Sequence, residues 1–314
     1  FHLYLEKKFL KKFSSYNKLW RWSYDNPENF WESIVEYFNI HLEKKKSFKA
    51  YDKKKYFWNS TFFHNCNLNY YDLIYKNNSS DTAIEFIGEN KYKEIITYGD
   101  LNKRINALSN FFQSLGIKKG DVVVGYLPNI PDTIISFLSA AKIGAVWSSC
   151  SADFGTQAVI DRFSQLKPKL LIIADHYFYN GKRFDYSKNL RLLKQSLNNP
   201  KILKTSYPSN KSTSQFKKII TQKKYKKINQ HVLLDFNHPL YVLFSSGTTG
   251  LPKCITHGHG GSLLQHLKEL ALHTNVKSKD KMLFLTTCGW MMWNWTVSNL
   301  LLGSTIVLYD GSPF

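Results

Sequence analysis

The sequence predicts an α/β fold with mostly parallel sheets and flanking helices. Short, continuously apolar segments recur along the chain, and segments with helical periodicity separate them; the apolar ones include 121–127, 145–149 and 170–174. Strands of this kind are typical of parallel sheets, because helices cover both faces of such a sheet. With 314 residues, 43% of them hydrophobic, the chain can bury a sizeable core. Wholesale disorder is therefore excluded.

Residues 1–75 are expected to form a mostly helical, aromatic-rich leader, the first of about two units that the chain length predicts. Asn26 followed by Pro27 is typical of a helix start, because proline lacks only an N–H that is unpaired in the first turn anyway. Apolar side chains then recur on one helical face: Phe30, Trp31, Ile34, Val35 and Phe38.

Residues 76–314 carry the alternating strands and helices. Thr97 is the expected N-cap of a helix that Gly116 ends, and further helices are predicted at 131–143 and 156–166. After residue 240 the alternation resumes, with predicted strands at 240–245, 254–257, 282–286 and 305–309 and a helix at 261–273.

A lysine-rich segment, residues 201–230, separates these two stretches. It carries nine lysines and no acidic residue. Because like charges repel and stay hydrated, we predict a solvated connecting loop. An electrostatic funnel for anionic substrates is the alternative.

The net charge of +20 invites a polyanion-binding interpretation. Only five of the 43 basic residues are arginines, however, and direct readout of nucleic acid relies on the planar, bidentate guanidinium. Nucleic-acid binding therefore remains an alternative, and no nucleic-acid partner is expected.

The cysteine pattern and the hydropathy indicate a cytoplasmic protein. Four cysteines lie far apart without a CxxC pair, which excludes a disulfide scaffold and a structural zinc site. No apolar run approaches the roughly 18 residues that a membrane helix needs, so no membrane insertion is expected.

The clearest chemical signal follows the predicted strand at 240–245. Hydroxyl residues and two glycines lead to Pro252 and Lys253. Glycines let several backbone N–H groups converge on one anion, while hydroxyls and a lysine add donors. The spacing is not that of a Walker loop, because no glycine precedes Lys253 and Cys254 follows it. A surface turn is the alternative. The predicted phosphate-binding residues are Ser245, Ser246, Gly247, Thr248, Thr249, Gly250 and Lys253.

This segment resembles the phosphate loop of the AMP-forming acyl-CoA synthetases, which belong to the adenylate-forming superfamily. Five further stretches, in the same order along the chain, are similar to the acetoacetate–CoA ligases, one branch of that family. They are residues 22–31, 125–131, 147–155, 181–185 and 289–295. The resemblance runs from about residue 20 to residue 314 and implies the large N-terminal domain of these enzymes.

The resemblance implies an ATP-dependent ligation in two steps. A carboxylate attacks the α-phosphorus of MgATP to give acyl-AMP and pyrophosphate, and the CoA thiolate then displaces AMP. The implied cofactors are ATP, CoA and Mg²⁺, and the implied small-molecule substrates are acetoacetate, ATP and CoA. Lys253 is the expected catalytic residue, which would stabilise charge on the leaving pyrophosphate.

The resemblance also implies an acyl pocket. Trp290, Met291 and Met292 match the segment that lines this pocket in the family. Their aromatic and thioether groups would enclose a short acyl chain, and Asn294 would meet a keto oxygen if its side chain points inward. A buried aromatic stripe is the alternative for the tryptophans that follow.

A CoA-binding stretch is implied at Gly181, Lys182 and Arg183, which match residues that contact CoA phosphate in related acetyl-CoA synthetases. A merely solvated Lys–Arg pair is the alternative. His257 and His259 flank a glycine, but no carboxylate or cysteine lies at ligand spacing from them. No metal site is therefore expected.

Members of the family are considerably longer than 314 residues. Their magnesium-binding Glu, their ribose-binding Asp and a C-terminal domain with the adenylation lysine would all lie beyond Phe314. Residues 76–314 are thus expected to be a truncated adenylating domain with unpaired sheet edges, exposed apolar surface and little ligase activity. Alternatives are a synthetase for acetate or propionate and a non-catalytic nucleotide- or CoA-binding module.

Overall fold

A computed structural model describes residues 1–186, 189–210, 213–222, 232–245 and 250–314. Within these ranges the chain has the predicted mixed α/β architecture, in which helices flank a largely parallel sheet. None of the helices in these ranges is both long enough and apolar enough to cross a membrane.

The first 75 residues are helical only in their first half. The elements are α1 (His2–Phe9), α2 (Tyr16–Asp25), α3 (Pro27–Tyr37), β1 (Glu43–Asp52), β2 (Thr61–Leu68) and α4 (Tyr71–Tyr75). The prediction of a mostly helical leader was wrong for β1 and β2, which pair antiparallel. Pro27 is the first residue of α3 as predicted, but the Asn26 amide donates back to the Trp22 carbonyl at 3.0 Å and does not cap the helix.

The middle of the chain follows the prediction closely. The elements are β3 (Thr82–Gly88), β4 (Lys93–Thr97), α5 (Tyr98–Ser114), β5 (Val122–Leu127), α6 (Pro131–Ile143), β6 (Val146–Ser151), α7 (Thr156–Phe163) and β7 (Leu170–Ala174). Thr97 caps α5, because its hydroxyl accepts a hydrogen bond from the Asp100 N–H at 3.2 Å. Gly144 ends α6 with a φ of +74°, and a Cβ there would lie 2.7 Å from Leu234.

The remaining elements include several that the sequence did not predict. They are β8 (His176–Tyr179), β9 (Lys182–Asp185), α8 (Leu190–Ser196), β10 (Lys201–Thr205), α9 (Gln215–Ile220), β11 (Leu234–Asp235), β12 (Pro239–Phe244), β13 (Cys254–Gly258), α10 (His259–Leu267), β14 (Lys281–Met282), α11 (Met291–Val297) and β15 (Thr305–Asp310). A π-helical stretch, Lys268–His273, continues α10.

Two predicted segments differ from the structure. The lysine-rich segment 201–230 is not simply a loop, because β10 and α9 lie within it and bury Leu203 and Phe216 completely. The strand predicted at 282–286 shrinks to the two residues of β14, and the chain that follows it leaves Leu283 and Leu285 more than half exposed.

The main sheet has six strands in the order β10-β7-β5-β6-β12-β13. All neighbours are parallel except β12 and β13, which form an antiparallel pair at one edge. The chain passes from β5 to β6 on one side and then returns to β7 on the other. Crevices outside the carboxyl ends of strands at such a reversal are where α/β proteins bind ligands.

Three smaller sheets complete the described fold. A four-stranded sheet has the order β14-β15-β3-β4, a three-stranded sheet has the order β1-β2-β11, and β8 pairs with β9. Helix α6 packs on α5 and on the main sheet, and all of its residues except Asp132 are buried. The ring of Phe137 lies 6.0–6.5 Å from the rings of Trp147, Tyr241 and Trp293, so α6 is at the centre of the core.

Candidate active site

The predicted phosphate loop connects β12 and β13. Phe244 pairs with Cys254 in the antiparallel register, and the Ser245 N–H donates to the Lys253 carbonyl at 3.0 Å. Both ends of the loop are thereby fixed to each other. Gly250 has a φ of +101°, a conformation that favours glycine. The structure therefore joins the first and last predicted residues at one place.

Four of the predicted phosphate-binding residues lie outside the described residues: Ser246, Gly247, Thr248 and Thr249. Of the described ones, Lys253 is exposed. Its ammonium forms no ion pair with another described residue and can reach a ligand without breaking one.

The base of this loop also contacts the 3₁₀ turn that follows α7. The Gln165 amide donates to the Pro252 carbonyl at 2.9 Å, and the Cys254 thiol lies 3.6 Å from the Gln165 side-chain oxygen. The Arg162 guanidinium lies 5.9 Å from the ring of Phe244, the last residue of β12. Arg162 was not among the predicted site residues. Its positive charge at the end of β12 adds to that of Lys253.

A second segment, residues 287–289, is attached to the carboxyl ends of β5 and β6. The Ser149 hydroxyl donates to the Cys288 carbonyl at 2.7 Å, and the Cys288 thiol donates to the Leu127 carbonyl at 3.1 Å. The Gly289 N–H donates to the Ser151 hydroxyl at 3.3 Å. Trp290 and then α11 follow this segment directly. These bonds therefore fix the start of α11 near the carboxyl ends of the strands, where the phosphate loop also lies.

The predicted acyl-pocket residues separate into exposed and buried ones. Trp290 is 53% exposed and Met292 is 37% exposed, whereas Met291 is partly buried with its sulfur 4.0 Å from the Tyr241 hydroxyl. The next residue, Trp293, is fully buried in the core. The alternative of a buried aromatic stripe therefore applies to Trp293 and not to Trp290.

Asn294 lies one turn after Trp290 and is 2% exposed. Its amide nitrogen donates to the Trp290 carbonyl at 3.4 Å, and its side-chain oxygen has no hydrogen-bond partner among the described residues. An unpaired buried amide oxygen costs free energy, so this position has an unused acceptor.

Asn129, which sequence reasoning missed, connects three segments at the same edge. Its backbone N–H donates to an Asp310 carboxylate oxygen at 2.7 Å, and its amide donates to the Tyr309 carbonyl at 3.1 Å. Its side-chain oxygen accepts from the Trp293 indole N–H at 2.9 Å. The signal available in the sequence was its place two residues after the end of β5, since polar residues that follow parallel strands at their carboxyl ends often belong to ligand sites.

Asp310, at the end of β15, is almost completely buried. Burial raises the pKa of its carboxyl group to about 6, and one of its carboxyl oxygens has no hydrogen-bond partner among the described residues. A buried carboxyl group whose pKa is raised in this way is a candidate functional group.

The predicted CoA-binding residues form the turn between β8 and β9, which follows β7. Lys182 and Arg183 are exposed, and the Gly181 N–H donates to the Glu89 carboxylate. This turn lies on the carboxyl side of β7, which is three strand spacings, or roughly 14 Å, from β12. The structure therefore places these residues beyond the carboxyl end of β7, apart from the phosphate loop, and their role in CoA binding stays a prediction.

The two histidines that flank Gly258 have separate packing roles. The His257 ring stacks on Tyr241 at 4.9 Å, and the buried His259 ring accepts the Tyr70 N–H at 3.3 Å. Within the described ranges, no three His, Cys, Asp or Glu side chains converge as metal ligands.

Comparison with known proteins supplies a family and several relatives. The family model described as "AMP-binding enzyme" matches residues 75–314. The acetoacetyl-coenzyme A synthetase of Rhizobium meliloti (strain 1021) is 38% identical over 325 residues, which cover 98% of this chain and 48% of that protein. The acetoacetyl-CoA synthetase of Danio rerio is 36% identical and covers 100% of this chain and 49% of its own length.

A solved structure, that of the acetoacetyl-CoA synthetase from Streptomyces lividans, is similar with a TM-score of 0.89 and 34% identity. The match covers 96% of this chain and 47% of that one. The chain thus spans about half the length of the curated relatives it matches.

Proposed function

The chain belongs to the AMP-binding enzyme family, and we propose that it contributes to the ATP-dependent, AMP-forming ligation of acetoacetate to CoA through an acyl-adenylate. The observation that carries the proposal is the β12–β13 loop, with its closed base and the exposed Lys253 at its end. Relatives at 36–38% identity that are named acetoacetyl-CoA synthetases support the choice of reaction.

The phosphate loop would bind the β- and γ-phosphates of ATP. Its glycines allow backbone N–H groups to approach an anion, and Lys253 would add a point charge where pyrophosphate leaves. Phosphoryl-type transfer depends mainly on positioning and on charge stabilisation, so this is where we expect Lys253 to act. Arg162 lies on α7 with its guanidinium near the end of β12, where it would strengthen the positive potential.

MgATP enters this proposal as the substrate. The described residues offer no cluster of carboxylate, histidine or cysteine ligands that fits a protein-bound magnesium ion.

The acyl site would lie at the start of α11. Trp290 and Met292 present partly exposed apolar surface there, and Met291 packs beside Tyr241. Acetoacetate carries a keto oxygen in addition to its carboxylate. The Asn294 NH2 group has two donor hydrogens and uses one on the Trp290 carbonyl. The second would donate to that keto oxygen and distinguish a keto acid from acetate or propionate.

CoA would bind at the β8–β9 turn through Lys182 and Arg183, whose side chains are exposed. A guanidinium and an ammonium are the usual partners of a phosphate group. All four cysteines are free thiols, which favours a reducing compartment such as the cytoplasm.

Titration of the 314-residue protein with a non-hydrolysable ATP analogue tests the phosphate loop. We expect Lys253→Ala to weaken binding about tenfold, because one charge-assisted contact contributes about 1.5 kcal/mol. Lys167→Ala, an exposed lysine before β7 at the opposite edge of the sheet, is the matched control and should leave the affinity unchanged. Equal affinity of the wild type and the Lys253 variant would refute this role.

The acid is tested separately, by calorimetric titration of the 314-residue protein with acetoacetate, acetate and propionate. Preference for acetoacetate that disappears in Asn294→Leu would support the keto-acid assignment. A preference for acetate or propionate would point to another short-chain synthetase and would leave the phosphate-loop proposal standing.

A further inference from the structure

We propose that the turn between β1 and β2 docks this protein on the surface of an anionic lipid membrane. We define this turn, residues 53–58, as the aromatic tip. Three lysines are followed there by Tyr56, Phe57 and Trp58. Phe57 is 72% exposed and Trp58 is 77% exposed. The tip belongs neither to the phosphate loop nor to the sites for acid and CoA.

The geometry of the tip keeps these rings at the surface. Tyr56 and Trp58 stack with their ring centroids 4.9 Å apart and an angle of 9° between their planes. Phe57 begins a single 3₁₀ turn, in which the Ser60 N–H donates to the Phe57 carbonyl at 2.9 Å. The aromatic residues of β2 behave differently, since Phe63 is buried against Phe236. An exposed cluster of large apolar side chains is typical of an interaction surface.

The charge of this hairpin is complementary to anionic lipid. Seven lysines lie between residues 44 and 55. Two nearby carboxylates neutralise some of these lysines. Asp52 forms ion pairs with Lys49 and Lys54 at 3.3 and 2.8 Å, and Glu32 forms one with Lys44 at 3.3 Å. Lys53 and Lys55 form no ion pair with another described residue. Basic residues next to exposed aromatic rings are attracted to anionic headgroups.

The combination of residue types favours a lipid surface over nucleic acid. Tryptophan and tyrosine prefer the membrane–water interface, where an apolar ring and a polar edge are both accommodated. The Tyr56 and Trp58 rings cover each other, which leaves fewer free faces on which a base could stack. No arginine lies between Arg21 and Arg104, so the hairpin lacks the guanidinium groups that read bases.

Co-sedimentation of the 314-residue protein with vesicles tests this proposal. Vesicles of phosphatidylcholine alone are compared with vesicles that contain 30 mol% phosphatidylserine. We expect binding to the anionic vesicles only. The triple variant Lys53→Gln, Lys54→Gln, Lys55→Gln should lower the partition coefficient tenfold or more, because each lysine near the surface contributes roughly fivefold.

Two further variants separate the contribution of the aromatic rings to vesicle binding from that of net charge. Phe57→Ser with Trp58→Ser should lower the partition coefficient about tenfold without changing the charge. The control variant Lys118→Gln, Lys167→Gln, Lys194→Gln removes three exposed lysines elsewhere and should change binding less than twofold. Circular dichroism melts confirm that each variant is folded.

Three results would overturn the proposal. Equal binding to neutral and anionic vesicles would exclude attraction to the lipid headgroups. An equal loss of vesicle binding in the tip and control lysine variants would show that only the net charge of the protein matters. Tighter binding of a single-stranded oligonucleotide than of the anionic vesicles, lost in the same tip variants, would assign the surface to nucleic acid.

Discussion

Asn129 shows how much of this site depends on one side chain. It contacts the end of β15 and the indole of Trp293 on α11, and it lies two residues after the end of β5. Because Trp293 is buried, the Asn129 oxygen is the only described partner of its N–H. The position of α11, and with it that of the candidate acyl residues, therefore depends on a residue outside every predicted motif.

We expect Asn129→Ala to destabilise the protein by about 2–4 kcal/mol, because two buried hydrogen-bonding groups lose their partner. Urea unfolding followed by tryptophan fluorescence measures this change. Asn17→Ala, at an exposed position in α2, is the control and should stay within about 0.5 kcal/mol of the wild type. A stability of Asn129→Ala equal to that of this control would contradict the role of Asn129 in holding α11.

At the scale of single elements, the sequence predicted best where caps and apolar periodicity agree. Helix α6 begins at Pro131 and ends before Gly144, as the residue types require. Strand β7 occupies the predicted residues 170–174, because a fully buried strand has a continuous apolar sequence. Both elements pack against β5 at the centre of the main sheet, so this part of the fold could be predicted.

The lysine-rich strands β1 and β10 could not be predicted, because each buries only a few residues on one face. β10 buries Leu203 between exposed lysines, and β1 exposes four lysines, three of them consecutive, before Ala50 turns inward. Local composition predicted a loop for the segment of β10 and a mostly helical leader for that of β1, whereas pairing with β7 and with β2 makes them strands. Asn129 was missed because its partners are more than 160 residues away in the sequence.

The two accounts of residues 201–230 differ in what they predict for α9. If α9 packs as the structure describes, Phe216→Ala should cost about 3–5 kcal/mol, because the ring is completely buried. Lys218→Ala, an exposed position on the same helix, should be nearly neutral. Thermal unfolding compares the two variants. If both were neutral, the solvated loop of the sequence-based prediction would be the better description.

At the scale of the whole molecule, two buried histidines connect stability to pH. The His266 ring lies 2.6 Å from the Ser298 hydroxyl, which also contacts the Tyr70 hydroxyl at 2.6 Å. Burial lowers the pKa of His266 to about 4 and that of His259 to about 3. Both rings are therefore neutral in the folded protein at pH 7. Burial has the opposite effect on Asp132 and Asp310, since it raises their pKa values to about 6.

The contribution of His266 can be isolated by comparing the wild type with His266→Gln as the pH falls. Above pH 6.5 the ring is neutral in both states and its titration has no effect. Between pH 6.5 and 4 the unfolded chain takes up a proton that the folded one refuses, so the wild type loses up to about 3 kcal/mol that the variant keeps. Their free energies of unfolding should therefore converge or cross on acidification.

Urea unfolding at pH 8, 6, 5 and 4 measures this difference. The carboxyl groups of Asp132 and Asp310 titrate in both proteins and cancel in the comparison. A difference between the wild type and His266→Gln that stays constant at every pH would show that the His266 ring titrates normally in the folded state.

The short strand β14 has a consequence for how this protein behaves in concentrated solution. Its two residues pair on one side with β15, and among the described residues no strand pairs with its other side. Leu283, Phe284 and Leu285 continue from it with 40–56% of their surfaces open to water. An open strand edge of this kind can pair with an extended segment of another molecule. The apparent molar mass from light scattering should therefore rise with protein concentration. Charge repulsion at +20 opposes this association, and added salt should therefore accelerate it.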